Sequence, residues 1–182
     1  MRLSMLALIA LIALTSIRLA DAAEFSFDAS NSQLGFTGDY GGEAVAGIFK
    51  QFSGKASFDL AQPLATRFVT EIEVGSLDTD YPDRDDTLRG PDFFDSEQFP
   101  NARWASAGDC DATGTRLSCP GSLTLKGQTH PVPLDISASA DGHIIEGKAR
   151  FSRTQFGIGS GDWADPETIA DEVEVQFKLQ LR

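Results

Sequence analysis

From Val173 to Leu181 every second residue is apolar: Val173, Val175, Phe177, Leu179 and Leu181 alternate with Glu174, Gln176, Lys178 and Gln180. A period of two belongs to a strand with one buried and one wet face, not to a helix. The alternation recurs in Phe25 and Phe27, in Leu34 and Phe36, in Ala56, Phe58 and Leu60, and in Phe68, Thr70, Ile72 and Val74. Strands with one apolar face each, and almost no helix to cover them, must close on themselves or pack as two sheets. The expectation is a single all-β domain: an antiparallel β-barrel of about eight strands with one or two short helices. The apolar face mixes small residues (Gly121, Ala138, Gly147, Ala149) with Trp104, Phe151 and Phe177. Small inward residues leave room for a ligand, unless neighbouring aromatic rings fill it.

Turn chemistry sharpens the register between Trp104 and Phe151. Cys110 facing Cys119 puts Trp104 opposite Leu125 and Ser106 opposite Leu123. A tight turn at Gly127-Gln128 sets Leu123 opposite Val132 and Gly121 opposite Leu134. A type I′ turn at Asp141-Gly142 sets Ala138 opposite Ile145, Leu134 opposite Ala149 and Val132 opposite Phe151. All three turns place the same apolar set on one face. Pro131 and Pro133 lack a donor, so the strand around Val132 frays or pairs on one side only. Asp83 to Asp95 reads as a short helix capped by Asp83 and limited by Pro91, and Asp165 to Ile169 as one helical turn with Pro166 first.

The N-terminus has the pattern of an export signal. A positive start at Arg2, an apolar run from Leu6 to Leu14 and the small-x-small triplet Ala20-Asp21-Ala22 predict a cleaved signal peptide over 1–22 and a folded domain over 23–182. The run is short of the roughly 20 residues a membrane span requires, so an uncleaved anchor is the weaker reading. In an oxidising compartment Cys110 and Cys119 can pair across the intervening turn. Their spacing is too wide for a CxxC redox pair.

The net charge is −12, and removing Arg2, Arg18 and Asp21 with the leader makes it one unit more negative. Such a surface argues against nucleic acid and anionic membranes as partners. His130 and His143 each lie beside a turn with no Cys or His at ligand spacing, so no metal site is expected. No Gly-x-Ser-x-Gly is present, and the run Gly157-x-Gly159-x-Gly161 lacks the strand–turn–helix setting of a dinucleotide loop. No catalytic residue is assigned, and the chain is read as a binding protein rather than an enzyme. Asp83, Arg84 and Asp85 are the densest charged cluster. Arg84 is a candidate donor to a ligand head group, while the plainer reading has the aspartates capping a helix and Arg84 pairing with a carboxylate.

The order of short motifs carries more than any one of them. Gly47-x-Phe49-x-x-Phe52-x-Gly54-x-x-x-Phe58-Asp59 is followed by Ser76-Leu77-Asp78-Thr79, Asp83-Arg84-Asp85-x-x-Leu88, Phe93-Phe94-Asp95 and Phe99-Pro100-x-Ala102-x-Trp104. Then come Leu123-Thr124-Leu125-Lys126-Gly127-x-Thr129-x-Pro131-Val132 and Arg153-x-x-Phe156-Gly157. The series resembles the YceI-like family of exported lipid-binding proteins over nearly all of the chain beyond the leader. The resemblance implies a lipocalin-like barrel in the periplasm of a Gram-negative bacterium. Its interior would hold an isoprenoid lipid, a polyisoprenoid or an isoprenoid quinone, with no other cofactor. Asp39-Tyr40-Gly41-Gly42-Glu43 stands where relatives are commonly more basic or histidine-containing. Gly157 to Trp163 looks like a subgroup whose relatives occur alongside membrane b-type cytochromes, which makes such a cytochrome the alternative partner. A homodimer stays open as well.

An isoprenoid tail offers little but apolar surface, so the residues expected around it are apolar. On the first half of the chain they are Phe36, Phe49, Phe52, Phe58, Phe68 and Ile72. On the second half they are Trp104, Leu123, Leu134, Ile136, Ile145, Phe151, Phe177 and Leu179. For any single one, plain core packing is about as good an explanation.

Overall fold

The computed structural model describes residues 23–58, 63–113 and 116–182; the expected signal peptide lies outside them. In chain order the elements are β1 (Ala23–Asp28), β2 (Gln33–Tyr40), β3 (Glu43–Phe49), β4 (Phe52–Phe58), β5 (Arg67–Glu73), β6 (Leu77–Asp78) and α1 (Pro82–Arg89). There follow β7 (Asn101–Ser106), β8 (Asp111–Thr113), β9 (Arg116–Cys119), β10 (Gly121–Leu125), β11 (Gln128–Pro131), β12 (Leu134–Ala138), β13 (Ile144–Ser152) and β14 (Glu172–Gln180). The all-β, antiparallel class expected from the alternation holds. Every strand pairing is antiparallel, and α1 is the one α-helix among the described residues.

The ladders fall into two sheets, ordered β1-β4-β5-β7-β10-β11 and β6-β3-β2-β14-β13-β12-β9-β8. Three long strands pass from one sheet into the other. They break at Ala107–Cys110 between β7 and β8, at Pro120 between β9 and β10, and at Val132-Pro133 between β11 and β12. Proline supplies no ladder donor, so Pro120 and Pro133 mark sites where a strand can leave its sheet at low cost. Across the molecule Ser26 and Arg182 exchange reciprocal backbone hydrogen bonds of 3.0 and 2.9 Å, tying β1 to the residues after β14. Between the sheets lie the buried Phe27, Phe52, Phe68, Trp104, Leu123, Ile136, Ile145 and Leu179.

Two expected registers are shifted by two residues. Trp104 faces Leu123, and Ser106 faces Gly121. The Cys110–Cys119 disulfide does form, next to the ladder Asp111–Ser118. However, Ala107, Gly108 and Asp109 oppose Pro120 alone, a bulge that absorbs two residues where the strands change sheet. The next turn is centred on Lys126-Gly127, both at positive φ (48° and 74°), so Leu125 faces Gln128 and Leu123 faces His130. Lys126 is held in this left-handed conformation by its ammonium, which donates to the carbonyls of Pro91 (2.7 Å) and Gly157 (2.9 Å). Leu134 consequently faces Cys119 rather than Gly121. An even slip keeps each side chain on its expected face, which is why the interior set survives.

Ala138 does face Ile145, and the ladder stops at Asp135–Lys148, short of the expected Leu134–Ala149 and Val132–Phe151 pairs. Of the Asp141-Gly142 pair only Gly142 has positive φ, so the connection is a longer loop and not a type I′ turn. The helix starts differently from expectation: Tyr81 is its N-cap, Pro82 its first residue, and Asp83 lies inside the first turn. Pro82 provides the helical φ in advance, which removes the need for an aspartate cap. The residues from Asp165 to Ile169 form a single hydrogen-bonded turn, closed by Thr168 and Ile169 N–H groups on the Asp165 carbonyl.

Candidate functional site

Both sheets and α1 wall one cavity of about 520 Å³, within the roughly 300–1,000 Å³ usual for small-molecule sites. The smaller sheet contributes Phe52, Phe68, Thr70, Ile72, Ala102, Trp104, Leu123 and Leu125. The larger contributes Leu34, Phe36, Phe49, Leu134, Ala149, Phe151, Val175, Phe177 and Leu179. Eleven of the fourteen residues expected around a ligand therefore stand on one wall system. Ile136 and Ile145 do not. They are buried in the packed part of the core, where Ile136 pairs with Leu117 and Ile145 with Leu179. Alternation gives a residue's face but not its height along the strand. The Phe58 side chain lies outside the described residues.

The small residues act differently from expectation. A Cβ built on Gly121 would fall 1.9 Å from the Trp104 ring, and one on Gly147 would fall 2.5 Å from the Phe177 ring. The aromatic rings already occupy the space these glycines leave, so the glycines let Trp104 and Phe177 lie flat against the sheet. Of the four small residues expected to leave room, Ala149 is the one on the cavity wall.

The mouth is formed by the β2–β3 turn, by α1 with Tyr81, and by the segment around Trp163. Tyr40 and Tyr81 are exposed there. Tyr40 and Trp163 stand 6.4 Å apart, and Trp163 packs 5.6 Å from Phe93. Phe36, Phe49 and Phe94 form a second aromatic group beneath, at 5.3 to 6.5 Å.

Charged groups on the wall are few: Asp39, Asp83, Arg84 and Arg153. Arg153 is 2 % exposed and fully engaged with backbone. It donates to the carbonyls of Ile158 (2.8 Å), Gly159 (2.9 Å), Ile169 (2.8 Å) and Ala170 (3.2 Å), locking two mouth loops together. A Cβ at Gly159 would lie 2.4 Å from its guanidinium, which explains the glycine. Asp171 stands beside it. Burial pushes that carboxyl up, but hydrogen bonds from Ser152 and Thr154 and the Arg153 charge outweigh it and hold the group below its usual range. The motif Arg153-x-x-Phe156-Gly157 marked this residue without revealing its task, because its partners are carbonyls on two other loops.

Arg84 has no carboxylate within ion-pair distance among the described residues, contrary to the plainer expectation. Its Nε donates to Thr79 Oγ1 (2.8 Å) and its Nη2 to the Thr79 carbonyl (2.6 Å), and its guanidinium lies 5.7 Å from the Tyr81 ring centre. Asp85 turns inward and accepts from the Thr79 N–H (2.9 Å) and hydroxyl (2.5 Å). Among the described residues, no three His, Cys, Asp or Glu side chains converge as a metal site would require.

Comparison with known proteins agrees with this architecture. The model of the YceI-like domain matches residues 25–181. A UPF0312 protein of Shewanella oneidensis is 31% identical over 148 residues, which is 75% of this chain and 78% of the relative. A UPF0312 protein of Vibrio cholerae is 28% identical over 85% of this chain and 89% of its own length. Among solved structures, Burkholderia cenocepacia BcnA superposes with a TM-score of 0.79 at 27% identity, covering 86% of this chain and 99% of that one. A polyisoprenoid binding domain from Saccharophagus degradans shares the fold, with a TM-score of 0.66 at 17% identity over 89% and 98% of the two chains.

Proposed function

The chain belongs to the YceI-like domain family, and on that premise we propose that it is a periplasmic carrier of a long-chain isoprenoid lipid, either a polyisoprenoid or an isoprenoid quinone. The tail lies in the cavity, and the head group sits at the mouth near α1 or the Gly157–Trp163 loop. The observation that carries this reading is the apolar wall of the cavity, with charged side chains confined to the mouth or, in Arg153, spent on backbone carbonyls. Burial of a methylene is worth about 0.8 kcal/mol, so each five-carbon isoprene unit contributes a few kcal/mol before ordering costs are subtracted. The solved polyisoprenoid binding domain of the same fold supports a ligand of this class. A wall of this chemistry orients and shelters an apolar chain.

The leader pattern over 1–22 and the Cys110–Cys119 disulfide, a bond at home in an oxidising compartment, support the periplasmic placement. Native mass spectrometry of the protein recovered from the periplasm, followed by solvent extraction, tests the proposal. A one-to-one adduct whose extracted mass fits an isoprene series is the expected result. A protein that stays empty after incubation with quinones and polyprenols would overturn it.

A further inference from the structure

The charged groups at the mouth form an arrangement that helix capping does not explain. Segments 39–43, 80–89 and 161–167, each of which supplies cavity-wall residues, hold nine carboxylates and two basic residues, Arg84 and Arg89, and Arg89 pairs with Asp86 at 3.0 Å. A guanidinium among so many carboxylates would ordinarily pair with one of them, as Arg89 does. Arg84 instead spends Nε and Nη2 on Thr79, while Nη1 has no hydrogen-bond partner among the described residues. Asp85, next in the chain, is buried and makes no ion pair with the guanidinium, its Oδ1 accepting from the N–H and hydroxyl of the same Thr79. The Thr79 hydroxyl donates to Asp85 and accepts from Arg84, so the three side chains form one fixed relay. Tyr81 supports the guanidinium from its ring face. The relay holds a half-buried, cavity-wall arginine in a single orientation with donors to spare. A ligand oxygen meeting a pre-oriented donor avoids the cost of ordering a long side chain.

We infer that Arg84, oriented by Thr79 and the buried Asp85, is the head-group donor of the cavity, and that the acidic mouth around it restricts the cargo to isoprenoid chains with an uncharged, oxygen-bearing head group. The inference rests on the carrier reading and adds a selectivity to it. A phosphorylated head group would gain Arg84 but face Asp39 and Asp83 on the same wall, with the exposed Glu43, Asp80, Asp162, Asp165 and Glu167 in the same segments. Like charges so placed cancel what one guanidinium offers. A carbonyl takes the hydrogen bond and meets no repulsion.

Three probes with isoprenoid chains separate the contributions: a geranylgeranyl-tailed menaquinone, geranylgeranyl phosphate and the headless squalene. Binding of each to delipidated protein is measured at low salt by calorimetry. The quinone binds about tenfold tighter than squalene, the scale of one charge-assisted hydrogen bond, and the phosphate binds no tighter than squalene. Arg84→Gln and Thr79→Val each abolish the quinone-over-squalene ratio while leaving squalene binding unchanged, and Thr79→Ser, which keeps the hydroxyl, retains it. Thermal melts confirm that the variants fold. A ratio that survives Arg84→Gln, or a phosphate that binds tightest, overturns the inference and leaves the carrier reading standing. Failure of all three probes to bind the wild type overturns both.

Discussion

Ala149→Trp tests whether the cavity is the seat of the ligand. Ala149 sits on β13 opposite Val175, is 7 % exposed and faces the cavity. Its side chain lines the cavity, so an indole there projects into the space the ligand would occupy. The fold should therefore tolerate it, with the stability change within about 1 kcal/mol, because overpacking costs arise only where the site is already full. The indole displaces about one isoprene unit from the β13 side of the wall. Five carbons at about 0.8 kcal/mol each give about 4 kcal/mol gross. Ordering costs offset about half of that, so binding weakens by about 2 kcal/mol, or roughly thirtyfold. The assay pairs calorimetric titration of delipidated protein with a thermal melt, and uses Val69→Trp, on the outer face of β5, as the control. Unchanged affinity in a correctly folded Ala149→Trp protein would refute the placement of the tail along β13.

Three further outcomes follow from the geometry. Gly121→Ala should cost about 1–3 kcal/mol, read as a lower urea midpoint, because its Cβ would displace the Trp104 ring and strain the 2.8 Å hydrogen bond from Trp104 Nε1 to the Val132 carbonyl. Replacing both Cys110 and Cys119 by alanine should cost about 2–3 kcal/mol on the chain-entropy model, measured by denaturant unfolding without reductant. Asp171 should contribute to acid sensitivity. Its carboxyl is held below its usual value in the folded protein, so its stabilisation is complete above the unfolded value of about 3.9 and is lost as pH falls through the lower folded value. Asp171→Asn should therefore flatten the acid limb of stability below about pH 4. A limb as steep as the wild type's would show that other carboxylates control it.

Much of the interior was legible because side-chain direction along a strand is a local property. Alternation puts Phe36, Phe68, Phe177 and Leu179 inward, turn register does the same for Trp104 and Phe151, and all six stand on the cavity wall. The two slipped registers did no harm to that reading. The turn expected at Gly127-Gln128 is displaced because Lys126 takes positive φ, and its ammonium donates to the carbonyls of Pro91 and Gly157, far away in the chain. Arg84 was visible as a candidate, but its release from carboxylate pairing was not. That depends on Thr79, which only the packing of α1 against β6 brings within reach.

By itself the sequence determined the class of fold, the inward face of most strands, the cysteine pair and the kinship carried by the ordered motifs. These depend on backbone periodicity and on residues close in the chain. Tertiary structure alone decided how the strands divide between two sheets and that rings fill the space over Gly121 and Gly147. It also decided that Ile136 and Ile145 sit in packed core while Ala149 borders the cavity. Those outcomes depend on the height of each residue along a curved sheet and on what the opposite sheet presents there. Neither quantity is encoded in a period of two.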